Sequence, residues 1–190
     1  MLITATDVAG NSSTKTLHVV VADATPPRLT LSGNITTDAT SPAGVVVTYS
    51  NAATDIVSGA VAVNCVLSSG SSFPIGTSTV ACTATDGAGN TASGSIQVLV
   101  QAAAAQVANL AILVRDFNLV QGIANSLDAK LQNILGALGA AQSGSAANVC
   151  GQLHAFINET QAQSGKKLTV AQANQLIVAA TRIEAVVGCQ

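Results

Sequence analysis

The side chains able to do chemistry are few: four cysteines (Cys65, Cys82, Cys150, Cys189), two histidines (His18, His154) and nine carboxylates. Nucleophilic catalysis needs a base within hydrogen-bond reach of a Ser or Cys, and no spacing here supplies one. His18 occupies the position of Gln97 in an internal repeat and reads as a solvated strand residue. His154 borders an apolar helical stripe, and its helical neighbours Cys150 and Asn158 form neither a ligand set nor a triad. Glycoside hydrolysis needs two facing carboxylates, whereas the acids here fall in turns or on helix surfaces. A phosphate-cradling glycine loop and a His-Glu metal helix are both missing. The expectation is a chain that is not an enzyme and takes no cofactor. The cysteines are the remaining chemistry. An even number without metal-ligand spacing favours disulfides, in any of three connectivities, and disulfides persist outside the cytosol.

The elements that position these residues are of two textures. Charged residues make up 8% of the chain and aromatic residues 2%, with no Trp; soluble domains average roughly 25% charged, so Thr, Ser, Asn, Gln and Gly must cover the surface. A net charge of −2 leaves no basic footprint for nucleic acid. The longest apolar stretch, residues 98–114, is interrupted by Gln101, Gln106 and Asn109 and falls short of the roughly 20 residues a membrane span needs. No membrane insertion is expected.

Thr4-Ala5-Thr6-Asp7-Val8-Ala9-Gly10-Asn11 recurs as Thr83-Ala84-Thr85-Asp86-Gly87-Ala88-Gly89-Asn90, identical at seven of eight positions. Each copy reads as strand, Asp-led turn and strand, with Gly-Asn supplying the positive φ of a tight turn; the following apolar strands are expected at 17–21 and 96–100. Residues 1–22 are then the last hairpin of a preceding Ig-like repeat. A lone hairpin is marginal, so the chain is expected to be the C-terminal piece of a larger secreted protein whose export signal and further domains lie upstream.

The Pro26-Pro27 pair marks a domain boundary. Between residues 28 and 100, short β-rich runs at 29–31, 45–49, 60–67, 77–85 and 95–100 alternate with Gly, Ser, Asn and Pro, which suggests an antiparallel sandwich. The text Ala39-Thr40-Ser41-Pro42-Ala43-Gly44-Val45-Val46-Val47-Thr48-Tyr49, then Ser72-Phe73-Pro74-Ile75-Gly76-Thr77-Ser78-Thr79-Val80-Ala81-Cys82-Thr83-Ala84-Thr85-Asp86 and Ala88-Gly89-Asn90, resembles the hyalin repeat (HYR) family of extracellular Ig-like modules over residues 23–100, within a domain expected at 23–101. The resemblance implies pairing of Cys65 with Cys82. One departure stands out. Similar modules often carry an acidic Asp-Asn-x-Asp-Gly loop, whereas this chain reads Asp55-Ile56-Val57-Ser58-Gly59, and a single carboxylate removes oxygen ligands from a hard-cation site there. Calcium candidates are instead Asp7, Asp23 and Asp86 between repeats, beside the plainer reading that these residues cap turns.

From residue 102 to 190 the period is helical. A first helix is expected at about 103–117, a break at Asn118–Gly122, and a second helix with the stripe Ile123, Leu127, Leu131, Ile134, Leu135 and Leu138. Ser143-Gly144-Ser145 separates it from a third helix bearing Val149, Leu153, Phe156 and Ile157. After the solvated turn Ser164-Gly165-Lys166-Lys167, Thr169 caps a fourth helix with Gln172 three residues on. The stripe of that helix is Val170, Ala173, Leu176, Ile177, Ala180, Ile183 and Val187. An antiparallel hairpin of the last two helices brings Cys150 and Cys189 together. Asn125-Ser126-Leu127-Asp128-Ala129-Lys130-Leu131, Phe156-Ile157-Asn158 and Gly165-Lys166-Lys167-Leu168-Thr169 resemble the FIMAH domain, a C-terminal helical module of bacterial secreted proteins. That resemblance implies a bacterial extracellular context and a natural C-terminus at Gln190, and it makes the sequons at Asn11, Asn34 and Asn158 accidental.

The fold class is therefore an Ig-like antiparallel β-sandwich followed by a small disulfide-tied bundle of about four helices. Two functions remain. One is a non-catalytic extracellular spacer or adhesion-type module, whose partners are proteins, a surface polymer or upstream domains of its own chain. The alternative is an accessory polysaccharide-binding module of a secreted hydrolase. Sugar platforms use exposed aromatic rings, and one Tyr with three Phe offers little for stacking.

Overall fold

The computed structural model describes residues 1–139 and 145–189, with strands as far as residue 101 and helices after it. The strands are β1 (Leu2–Thr6), β2 (Ser12–Thr16), β3 (Arg28–Leu31), β4 (Ile35–Asp38), β5 (Val45–Val47), β6 (Asn51–Asp55), β7 (Gly59–Val61), β8 (Val63–Cys65), β9 (Ser71–Phe73), β10 (Gly76–Thr85) and β11 (Thr91–Gln101). The helices are α1 (Ala103–Asp116), α2 (Gln121–Gly139), α3 (Ser145–Gln163) and α4 (Val170–Val187).

The backbone of the β-module is the antiparallel pair β10–β11, in register from Gly76 opposite Val100 to Thr85 opposite Thr91. Val80, Cys82 and Ala84 on one strand and Ile96, Val98 and Val100 on the other are buried, and the residues between them point outward. This is the period-two pattern of a sheet with one wet face. β8 extends the sheet beyond β10 and β4 extends it beyond β11, giving the order β4-β11-β10-β8. A second sheet, β3-β6-β7, lies across the first, and β5 with β9 forms a short ribbon. Gly94 on β11 marks where the sheets touch: a Cβ there would lie 3.0 Å from Leu31 Cδ1 and 3.4 Å from Leu29 Cδ2 of β3.

The sandwich departs from the sequence expectation in three ways. First, it is not antiparallel throughout. The chain crosses from the second sheet to the first between Leu31 and Ile35, so β4 runs parallel to β11, with Ile35 opposite Val98. Second, β4, β6 and β9 are built largely of Thr, Ser, Ala, Asn and Asp, without apolar alternation, and are held by backbone pairing to β11, β3 and β5. The run at 60–67 also divides at Ala62: β7 pairs with β6 in one sheet, and β8 with β10 in the other. Third, residues 17–21 are not a strand. β2 ends at Thr16, and the last bonds of the hairpin join Leu17 and Met1, the N–H of each donating to the carbonyl of the other.

Only Ala102 separates β11 from α1. Asn118, at φ +48°, turns the chain into α2, which begins at Gln121, inside the expected break. Of the next expected break, Ser143 and Gly144 lie outside the described residues, and Ser145 opens α3; Gln190 also lies outside them. Ile123, Leu127, Leu131 and Ile134 are buried on α2, Val149, Leu153 and Phe156 on α3, and Ala173, Leu176, Ala180, Ile183 and Val186 on α4. Val170 is exposed on the first turn of α4, and Val186 rather than Val187 closes the stripe. Thr169 and Gln172 form a reciprocal capping box, with the Thr169 hydroxyl accepting from the Gln172 N–H. Gly188 ends the helix in the left-handed conformation. The disulfides join Cys65 to Cys82, which face each other across β8 and β10, and Cys150 to Cys189 at the open end of the α3–α4 hairpin.

The two modules meet through Gln106 of α1, which is 2% exposed. Its Nε2 donates to the carbonyls of Ala39 and Gln101, each at 3.0 Å. Its Oε1 accepts from Arg182 Nε of α4 at 3.1 Å, and Arg182 Nη2 stands 2.6 Å from Asp38 Oδ2. A buried amide is thus satisfied on both sides by groups from both modules.

Candidate metal centre

Three carboxylates converge at one end of the β-module. Asp86 follows β10 in the turn to β11, Asp55 ends β6, and Asp23 lies in the segment leading to β3. One oxygen from each falls within 4.8 Å of the others. Each position follows from local turn chemistry, in which an Asp side chain accepts from backbone N–H groups just ahead of it. Asp86 Oδ1 accepts from Ala88 and Asn90, and its Oδ2 from the Asn90 amide. Asp55 Oδ1 accepts from Val57 and Ser58. Asp23 Oδ1 accepts from Thr25.

These turns are tied together. The Asn90 amide also reaches the Asp23 carbonyl at 3.3 Å, and Gly87 N–H donates to Ser58 Oγ at 3.2 Å. Pro27, buried just before β3, holds the incoming segment against the module. Asp55 is 8% exposed and Asp86 7%. The Oδ2 atoms of Asp23 and Asp55 are sealed from solvent and have no hydrogen-bond partner. Among the described residues, no Lys, Arg or His forms an ion pair with any of the three carboxylates. Burial raises the Asp86 carboxyl pKa, but the bonds from the Asn90 side chain and the Asn90 and Ala88 backbone outweigh it and hold the group ionised below its ordinary value. An all-oxygen cluster of this kind is suited to a hard cation and offers nothing to a soft one.

Of the three residues singled out from sequence, Asp23 and Asp86 come together here and Asp7 does not. Asp7 repeats the Asp86 turn closely, with Oδ1 accepting from Ala9 and Asn11 and Oδ2 from the Asn11 amide. The Asn11 side chain is the main reason its pKa is lowered. Its turn is fully exposed, and among the described residues it belongs to no group of three ligating side chains. Asp55, whose own loop carries one carboxylate, is buried to nearly the same degree as Asp86 and keeps one oxygen without a donor. The three oxygens come from three separate segments, which a count within one loop does not register.

The histidines are placed as surface residues. His18 lies exposed beyond β2, outside any strand, and His154 Nε2 stands 3.2 Å from Glu184 Oε1 on the outside of the α3–α4 pair. The aromatic rings are withdrawn from solvent: Phe73 and Phe156 are fully buried, Phe117 is half-buried, and the Tyr49 hydroxyl donates to the Leu67 carbonyl. Among the described residues, no helix is long and apolar enough to cross a membrane.

Residues 22–100 match the family model of the HYR domain. HYR domains are extracellular, adhesion-type modules of Ig type. The match begins at the residue before Asp23 and ends at Val100, one residue short of the end of β11, so Asp23, Asp55, Asp86 and the Cys65–Cys82 bridge all fall inside it. No curated protein matches the chain.

Proposed function

We propose that this chain is a non-catalytic extracellular segment of a secreted bacterial protein, acting as a stiff spacer with adhesion-type contacts. The junction between the modules carries this reading. β11 passes into α1 through one residue, and the Gln106–Arg182–Asp38 linkage fastens the first and last helices to the sheet. A spacer must transmit orientation, and a buried, fully bonded joint does so where a flexible linker would not. The resemblance of residues 106–190 to the FIMAH module supports the bacterial context, and the two disulfides support an oxidising compartment.

The hairpin β1–β2 belongs to this reading as the end of another Ig-like repeat. Ile3, Leu17, Val19 and Val21 correspond by position to Cys82, Ile96, Val98 and Val100. The second set is buried and the first is exposed, with Val21 at 91%. Those exposed apolar side chains support this reading, because the same positions in the second copy face the core. Polysaccharide binding is the weaker reading, because Tyr49 and the three Phe present no open stacking platform.

The test is depletion of the oxidised chain from solution by insoluble polysaccharides and bacterial cell walls, with calcium and with chelator. The spacer reading predicts no saturable loss to any polysaccharide. Saturable binding to one of them would make the chain an accessory binding module.

A further inference from the structure

We propose that Asp23, Asp55 and Asp86 bind a calcium ion that pins the segment entering the β-module, so that the direction in which the preceding hairpin leaves becomes calcium-dependent. The proposal goes beyond the spacer reading and stands or falls separately from it. It rests on two independent observations. The first is convergence: ligand oxygens on one calcium ion, at about 2.4 Å each, lie no more than about 4.8 Å apart, and the three carboxylates meet within that limit. The second is an unmet acceptor. Asp55 is over nine-tenths buried, and its Oδ2, on a carboxylate of the convergent group, has no donor. Asp23 is half-buried, and its Oδ2 likewise has no donor. Burying a carboxylate oxygen without a partner is costly, and three carboxylates brought together repel one another. A divalent cation relieves both costs at once.

The choice of calcium follows from the ligands. No His or Cys belongs to the cluster, which excludes a preference for zinc or copper. Magnesium demands near-ideal octahedral geometry and is usually held by one or two carboxylates, whereas calcium accepts irregular oxygen shells completed by water. Three Asp from three turns make such a shell. Each already fixes one oxygen by backbone N–H bonds, so the site is preorganised before an ion arrives.

The position gives the ion a consequence. Asp55 and Asp86 belong to the module, but Asp23 belongs to the segment between the hairpin and β3, where every residue from 1 to 22 is exposed. The ion would add to the single bond from Asn90 to the Asp23 carbonyl and clamp that segment down. At the other end of the module the position corresponding to Asp23 is Ala102, which joins β11 to α1. That joint is fixed by Gln106 and needs no ion.

The test uses the intact oxidised chain, stripped with chelator and titrated calorimetrically with calcium chloride and, separately, magnesium chloride. The expected result is one site per chain with a Kd of about 0.1–1 mM, the range of extracellular modules, and weaker magnesium binding. Calcium should also slow amide exchange in residues 22–25, ahead of the two prolines. Asp55→Asn keeps an oxygen for the Val57 and Ser58 N–H groups, so the turn survives and only the charge is lost; Asp23→Asn does the same for the linker. Both should weaken calcium at least tenfold, while Asp7→Asn, in the matching isolated turn, should leave it unchanged. Absence of one-site binding up to about 10 mM calcium, ten times the weaker end of that range, would overturn the proposal. Binding that Asp55→Asn and Asp23→Asn both leave intact would overturn it equally.

Discussion

Gln106, on the first helix of the helical module, donates a 3.0 Å hydrogen bond to the carbonyl of Ala39 in the β-module, and both residues are sealed from water, at 2% and 0% exposure. A side chain shared in this way makes the stability of the two modules interdependent.

Gln106→Ala should therefore cost more than its size suggests. It strips a donor from two carbonyls and leaves Arg182 without the Oε1 acceptor. Stranding buried polar groups costs about 1–3 kcal/mol. Chemical denaturation should show a loss in that range, with amide exchange rising at residues 38–40 and 101–106 together.

The Cys150–Cys189 bridge closes a loop with a sequence separation of 39. On the chain-entropy model it contributes about 4 kcal/mol, against about 3 kcal/mol for Cys65–Cys82 with a separation of 17. The double replacement of Cys150 and Cys189 by Ser should lower the unfolding midpoint of α3 and α4 more than the matching replacement at 65 and 82 lowers that of the strands. Hydrogen exchange across a denaturant series resolves the two.

Gly44 has φ +111°, and a Cβ there would stand 1.9 Å from the Phe73 carbonyl oxygen. The obstacle is backbone, and Phe73 is a fully buried core residue, so neither partner can step aside. Gly44→Ala should destabilise the β-module by at least about 2 kcal/mol. A thermal melt of the variant measures the loss.

Acid should act through Asp86 and Glu159. Burial raises the Glu159 carboxyl pKa, but hydrogen bonds from Lys130 and Ser126 and the Lys130 charge outweigh it, so the folded value is lowered, as for Asp86. A group depressed on folding contributes its stability in full above its unfolded pKa and loses it as pH falls through the folded one. The urea midpoint should be level between about pH 7 and 5 and fall below about pH 4. Glu159→Gln should remove the part of the fall that Glu159 carries.

The helices were legible because their stripes repeat over three or more turns, and Thr169 with Gln172 announces a start that the structure reproduces atom by atom. The long strands were legible for the same reason. What stayed hidden was pairing without pattern. Residues 51–55, Asn-Ala-Ala-Thr-Asp, form a strand only because β3 and β7 lie on either side. The parallel β4 depends on a crossing between sheets that no local signal encodes. The convergence of Asp55 with Asp23 and Asp86 is hidden for a related reason. The neighbours of Asp55 in sequence are poor in oxygen ligands, and its partners in space lie about 30 residues away on either side.

The measurement that bears most directly on the account is the alignment of the two modules in solution, from residual dipolar couplings of the oxidised chain in one weakly orienting medium. A stiff spacer predicts that amide couplings from the sheet β4-β11-β10-β8 and from α1–α4 fit a single alignment tensor. Two tensors of clearly different magnitude would mean that the modules move independently, and would contradict the claim that the joint at Gln106 makes them one body.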